Sequence, residues 1–249
     1  LSSTLKKVLI VGGSGKIGKE INSYLNDRFD ILSIGYRDDI YKDKKYFSLD
    51  LLDNSTVKSF CENNKIFDTI IFLVGRAHKS GRERDFSIYE NTNLITLKNL
   101  FNCMKDLNKL PKKIIFASTI SVYGEKLEKR IYTERDATTP YSPYAITKLA
   151  AERYLLKNFK SRVWILRLAP VYYDGFNLNI DSRTKFGPIY FRVGKGSKVL
   201  SLLNIKNIRE TINQIIESKI PNGVYNLSDE INYTYNDLLN YQKAKTVFV

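Results

Sequence analysis

With 249 residues, 43% apolar and 27% charged, the chain has room for one large α/β domain, or a domain plus a small lobe, around a sizeable core. No apolar run approaches the ~20 residues of a membrane helix, so no membrane partner is expected. Two cysteines, Cys61 and Cys103, are too few for a disulfide scaffold and fall in no metal-ligand spacing; with no secretory pattern at the start, a cytoplasmic protein without a metal is expected.

The formal charge of +14 is spread through the chain rather than clustered, which reads as solvated surface. Nucleic acid is therefore not an expected partner, and attraction of a small anionic substrate is the lesser use open to that charge. Along the chain, "KKVLIVGG", "DILSIGY", "FDTIIFLVG", "KKIIFAST" and "VWILRLAPVY" are strands apolar on both faces, as buried parallel strands must be. Helices are predicted between them at Lys16 to Asn26, Ser55 to Asn63, Asn93 to Leu107 and Pro143 to Phe159. Alternation of this kind predicts right-handed βαβ crossovers and an α/β fold, a Rossmann-type doubly wound parallel sheet. After Tyr172 the rhythm breaks. Residues 173 to 203 read as irregular, a helix is predicted from Lys206 to Ser218, and "NGVYNLS" as a short strand. The expected division is a dinucleotide-binding domain at 1–172 and a smaller substrate-binding lobe at 173–249, with some segments returning to the sheet.

The first strand runs into "GGSGKIG", placing Gly12, Gly15 and Gly18 in a turn that opens a helix. Glycines there admit a tight turn and close approach of a pyrophosphate, and the helix N-terminus supplies NH donors and positive potential. The second strand ends Gly35-Tyr36-Arg37, where NAD binders would carry an acid for the ribose. A guanidinium suits a 2′-phosphate, which favours NADP; Asp38 and Asp39 keep NAD open. In "SPYAITK", Tyr144 and Lys148 stand four apart on a predicted helix, sharing a face beyond the carboxyl end of a strand.

These segments, with "LDLLD", "FLVG", "NLITLKNL", "ASTISVYG", "LRLAPVY" and "GVYNLSD" in this order, resemble the extended short-chain dehydrogenase/reductase family of nucleotide-sugar epimerases, dehydratases and reductases. The resemblance implies Tyr144 as general acid/base, Lys148 as ribose holder and electrostatic partner, and Thr119 as a hydrogen-bond partner of the same substrate oxygen. It implies Gly12, Gly15, Lys16, Ile17 and Gly18 around the pyrophosphate, Asp50 and Leu51 beside the adenine, and Val74, Gly75 and Val171 lining the cofactor. Substrate contacts are expected from His78, the only histidine, and from Arg183 and Arg192 on the diphosphate; Lys185 lies in the same stretch. Tyr123 and Ser118 are expected to pack behind the site. A homodimer through the helices of residues 93–107 and 143–159 is likewise implied.

Two departures stand out. Family dehydratases carry Thr-Asp-Glu where this chain has Thr119-Ile120-Ser121, so sugar dehydration lacks its carboxyl proton carriers. Where many members read R-x-x-N-V-Y-G-P, this chain reads Arg167-Leu168-Ala169-Pro170-Val171-Tyr172-Tyr173-Asp174. The function implied is NAD(P)-dependent oxidation and return, or reduction, of a nucleotide-activated sugar. A non-catalytic NAD(P)-binding regulator on the same fold is the alternative.

Overall fold

The computed structural model describes residues 5–36, 45–77, 85–124, 131–244 and 247–248. Strands β1 (Lys7–Val11), β2 (Asp30–Gly35), β3 (Tyr46–Ser48), β4 (Thr69–Phe72), β5 (Lys113–Thr119) and β6 (Val163–Leu168) alternate with helices α1 (Lys16–Leu25), α2 (Asn54–Asn63), α3 (Phe86–Glu90), α4 (Thr96–Asp106) and α5 (Pro143–Phe159). Beyond β6 come β7 (Val171–Tyr172), α6 (Leu178–Thr184), β8 (Lys185–Phe186), β9 (Ile189–Phe191), β10 (Val199–Leu200), β11 (Leu203–Asn204) and α7 (Ile205–Ile216). The chain continues through β12 (Gly223–Leu227), β13 (Tyr233–Thr234), α8 (Tyr235–Tyr241) and β14 (Val247–Phe248).

The main sheet has seven strands in the order β12-β6-β5-β4-β1-β2-β3, all parallel. Strand periodicity divides its side chains between two cores. Leu9, Val11, Ile70, Phe72, Ile114 and Phe116 face one, roofed by α2, α4 and α5; Val8, Ile10, Ile71 and Ile115 face the other, under α1 and α7. The order reverses between β1 and β4, which leaves a crevice at their carboxyl ends, the place where open α/β sheets receive ligands.

Local chemistry sets the helix starts. Ser142 accepts from the Ala145 NH and Pro143 fills the first helical position, which fixes the entry of α5. Asp53 caps α2 in the same way. Gly15 precedes α1 with no side-chain cap, so its first NH groups open toward the crevice.

Several expectations need correction. "VWILRLAPVY" is two strands, because Pro170 has no NH to continue the ladder; β7 turns away and pairs with β11. The helix expected at Asn93 starts at Phe86 and runs through a π-helical turn at Asn91–Ile95 into α4. Residues 173–203 are not irregular: α6 and short strands occupy them, held by pairings to distant partners such as β13 and β14 that no local pattern announces. "GVYNL" returns to the main sheet beside β6.

Some of the positive charge has structural work. Lys109 Nζ donates to the carbonyls of Cys61, Glu62 and Asn64 at the end of α2. Lys113 Nζ donates to Ile215 O, Ile216 O and Ser218 Oγ at the end of α7, where Lys6 joins it. Ammonium groups at helix C-termini satisfy orphan carbonyls and oppose the helix dipole.

Candidate active site

The crevice begins at the glycine turn. Gly12 has φ +93°, and its NH donates to Ile34 O at 2.8 Å; a Cβ there would sit 3.0 Å from the Val74 nitrogen. A Cβ on Gly18 would lie 2.3 Å from Gly12 O, so only glycine lets α1 press against the turn. The turn after β1 and the Val74-Gly75 segment after β4 are thus in direct contact across the switch point. Lys16 is exposed, Ile17 is half-buried beneath it, and Val171 is buried behind the same core. Asp50 is exposed with Oδ1 accepting from the Leu52 NH, while the Leu51 side chain is buried. Arg37 and His78 lie outside the described residues, as do Asp38 and Asp39.

Helix α5 and strand β5 bring the three expected catalytic side chains to the carboxyl end of the sheet. Thr119, at the tip of β5, hydrogen-bonds the Tyr144 phenol. Burial pushes the Tyr144 hydroxyl above its ordinary value, and the Thr119 bond pulls it back. One turn along α5, Lys148 is 3% exposed, and its Nζ donates to Val74 O at 3.0 Å and Ala117 O at 2.9 Å. A Cβ on Gly75 would meet that Nζ at 2.8 Å, so the missing side chain at 75 is what lets the amine reach the crevice floor. Burial lowers the Lys148 amine to about 7, and the Glu152 carboxylate opposes it.

The diphosphate candidates are less gathered. Arg183 Nη1 donates to Asn179 O on its own helix, and Lys185 pairs with Asp181 at 3.1 Å. Arg192 keeps a buried Nε with no hydrogen-bond partner among the described residues. An unsatisfied guanidinium NH is suited to an anionic oxygen.

Three residues to which the sequence reading gave no role tie the site together. Asn93, fully buried in the π-helical turn, accepts from the Arg76 NH at 2.7 Å and donates to Thr147 Oγ1 at 2.9 Å, joining the segment after β4 to α5. Glu152 and Arg167 form a buried pair behind Ser118. The available signal was a carboxylate on the inner helix face, at Lys148 plus four, and an arginine inside an apolar strand. Tyr123 OH, as expected behind the site, accepts from Arg167 and donates to Asn226 Oδ1.

A UDP-glucuronate 4-epimerase of Thermodesulfobacterium geofontis is 28% identical over 160 residues, 58% of this chain and 48% of its own. A UDP-glucose 4-epimerase of Halalkalibacterium halodurans is 30% identical over 152 residues, 59% of this chain and 44% of its own. The match therefore spans less than half the length of these curated relatives. Among solved structures, the UDP-glucose 4-epimerase of Thermotoga maritima, determined with UDP-glucose, superposes with a TM-score of 0.79 at 20% identity, over 98% of this chain and 84% of the other. That likeness establishes the fold, a seven-stranded parallel sheet flanked by helices. The model of the NAD dependent epimerase/dehydratase family matches residues 8–226, and to that family the chain belongs.

Proposed function

We propose that the chain converts a nucleotide-activated sugar with NAD(P), Tyr144 taking and returning the proton of the reacting hydroxyl. The observation that carries this reading is the Thr119–Tyr144 hydrogen bond beside a buried Lys148, at the switch point of the sheet. The residues present fit a dinucleotide: a left-handed Gly12, the open N-terminus of α1, and a side-chain-free Gly75 above the Lys148 amine. When bound, the nicotinamide ring supplies the hydride acceptor and donor. Thr119 orients the phenol toward a substrate oxygen. Lys148 in its ammonium form stabilises the phenolate, which lets a buried tyrosine give up a proton near neutral pH.

With Ser121 where dehydratases carry a carboxylate, 4-epimerisation or reduction is favoured over dehydration. The relatives named as 4-epimerases of UDP-sugars support the first. The unpartnered Arg192 Nε is offered to the substrate diphosphate. Arg37, next after Tyr36, favours NADP over NAD. A homodimer through α4 and α5 belongs to the same reading.

The test is a panel of UDP-glucose, UDP-glucuronate and UDP-N-acetylglucosamine, each with NAD or NADP, with products separated by anion-exchange chromatography. Tyr144→Phe is expected to bind the dinucleotide as the unaltered protein does and to lose turnover by about 10²-fold or more. Turnover retained in Tyr144→Phe, or none on any nucleotide sugar, rejects the assignment. Dinucleotide binding without turnover would favour the regulator reading.

A further inference from the structure

Glu152 and Arg167 are 1% and 6% exposed, on α5 and β6. Arg167 Nε lies 3.2 Å from both carboxylate oxygens and Nη2 lies 2.7 Å from Oε2, while Ser118 Oγ donates to Oε1. The guanidinium also stacks 4.9 Å over the Tyr123 ring and donates to its hydroxyl. A buried ion pair gives up hydration on both sides, and apolar residues of the same size are often as stable in its place. Packing alone does not account for it.

Its location supplies a reason. Glu152 follows Lys148 by one helical turn on the same buried face, and Ser118 precedes Thr119 on β5. The amine's own hydrogen-bond partners, Val74 O and Ala117 O, are uncharged. The groups around it are Glu152 from α5, the Phe116 ring from β5 at 4.7 Å, neutral Asn93 across Gly75, and, through Glu152, Arg167 from β6 and Tyr123, with Tyr144 one helical turn back on α5. Among the described residues, Glu152 is the carboxylate that acts on it.

We infer that the Glu152–Arg167 pair is a positioning device for the reaction centre: Arg167 and Ser118 lock the carboxylate in place, and the carboxylate keeps Lys148 an ammonium beside Tyr144. This rests on the reading proposed for Tyr144, but its first test does not. In ligand-free protein, urea unfolding compared with Lys148→Met in the same background reports the pH at which Lys148 loses its proton in the fold. Glu152→Gln is expected to lower that pH by about one unit, since an opposing charge is removed. The charge-free double variant Glu152→Leu/Arg167→Met, which leaves neither charge stranded, is expected to fold and to lower that pH by a smaller amount, since the guanidinium that opposes the ammonium goes with the carboxylate. On the substrate found by the panel, Glu152→Gln should move the basic limb of kcat down by about one pH unit and the double variant should move it down by less, with KM within about threefold in both. A folded double variant whose Lys148 titrates as in the parent protein overturns the inference, as does kcat lost without movement of the limb. Retained turnover in Tyr144→Phe instead overturns the Tyr144 reading and leaves the unfolding result standing.

Discussion

Lys148→Met gives a stability measurement whose size follows from the fold. Burial takes the amine from the 10.5 of an exposed lysine to about 7. A tenfold change in proton affinity is worth about 1.4 kcal/mol, so holding the ammonium inside costs about 5 kcal/mol below pH 6. Because the unfolded chain binds the extra proton between pH 7 and 10.5, the cost shrinks as pH rises through that window; at pH 9 it is about 2 kcal/mol. Methionine removes this cost but leaves the Val74 and Ala117 carbonyls without their donor, a loss of about 1–2 kcal/mol that does not depend on pH. Ligand-free Lys148→Met is therefore expected to be more stable than the parent at pH 6 by about 3 kcal/mol and nearly equal to it at pH 9. Urea unfolding followed by the fluorescence of Trp164, the single tryptophan and 7% exposed, measures both. The discriminating quantity is the change in the difference between the two pH values, about 2–3 kcal/mol. A difference that stays constant from pH 6 to 9 would refute the claim that Lys148 is buried as a poorly charged amine.

Other outcomes are equally specific. Gly18→Ala puts a methyl 2.3 Å from Gly12 O, a backbone atom that cannot yield cheaply; a loss of about 3 kcal/mol in urea is expected, and an unmoved midpoint would contradict the packing described. Lys113→Met removes three hydrogen bonds at the end of α7 and should cost about 1–2 kcal/mol by the same assay, whereas an exposed lysine of the solvated surface, such as Lys58, should cost almost nothing. Burial, together with a hydrogen bond to Cys103, pushes the Cys61 thiol up to about 12. Iodoacetamide at pH 8 should accordingly label Cys103 well before Cys61, as peptide mass spectrometry would show; faster labelling of Cys61 would be inconsistent with its buried place on α2.

The order of strands and helices was legible because each depends on neighbours in sequence. Apolar runs mark the buried strands, and Gly12, Gly15 and Gly18 mark the turn. Tyr144 and Lys148 were readable as a pair because an α-helix turns a spacing of four into a shared face. Longer-range assembly was not legible. Asn93 and Thr147 meet across 54 positions, and Ser118 and Glu152 across 34. Their partnership depends on how parallel strands are ordered and how helices lie over them. The short strands after Tyr172 are too brief to carry a period, and they exist because β10 pairs with β13, β9 with β14, and β11 with β7. Residue types and local spacing thus determined which side chains could do chemistry. Tertiary structure alone decided which were buried, since desolvation is a property of surroundings assembled from the whole chain, and desolvation makes Lys148 an unusual amine.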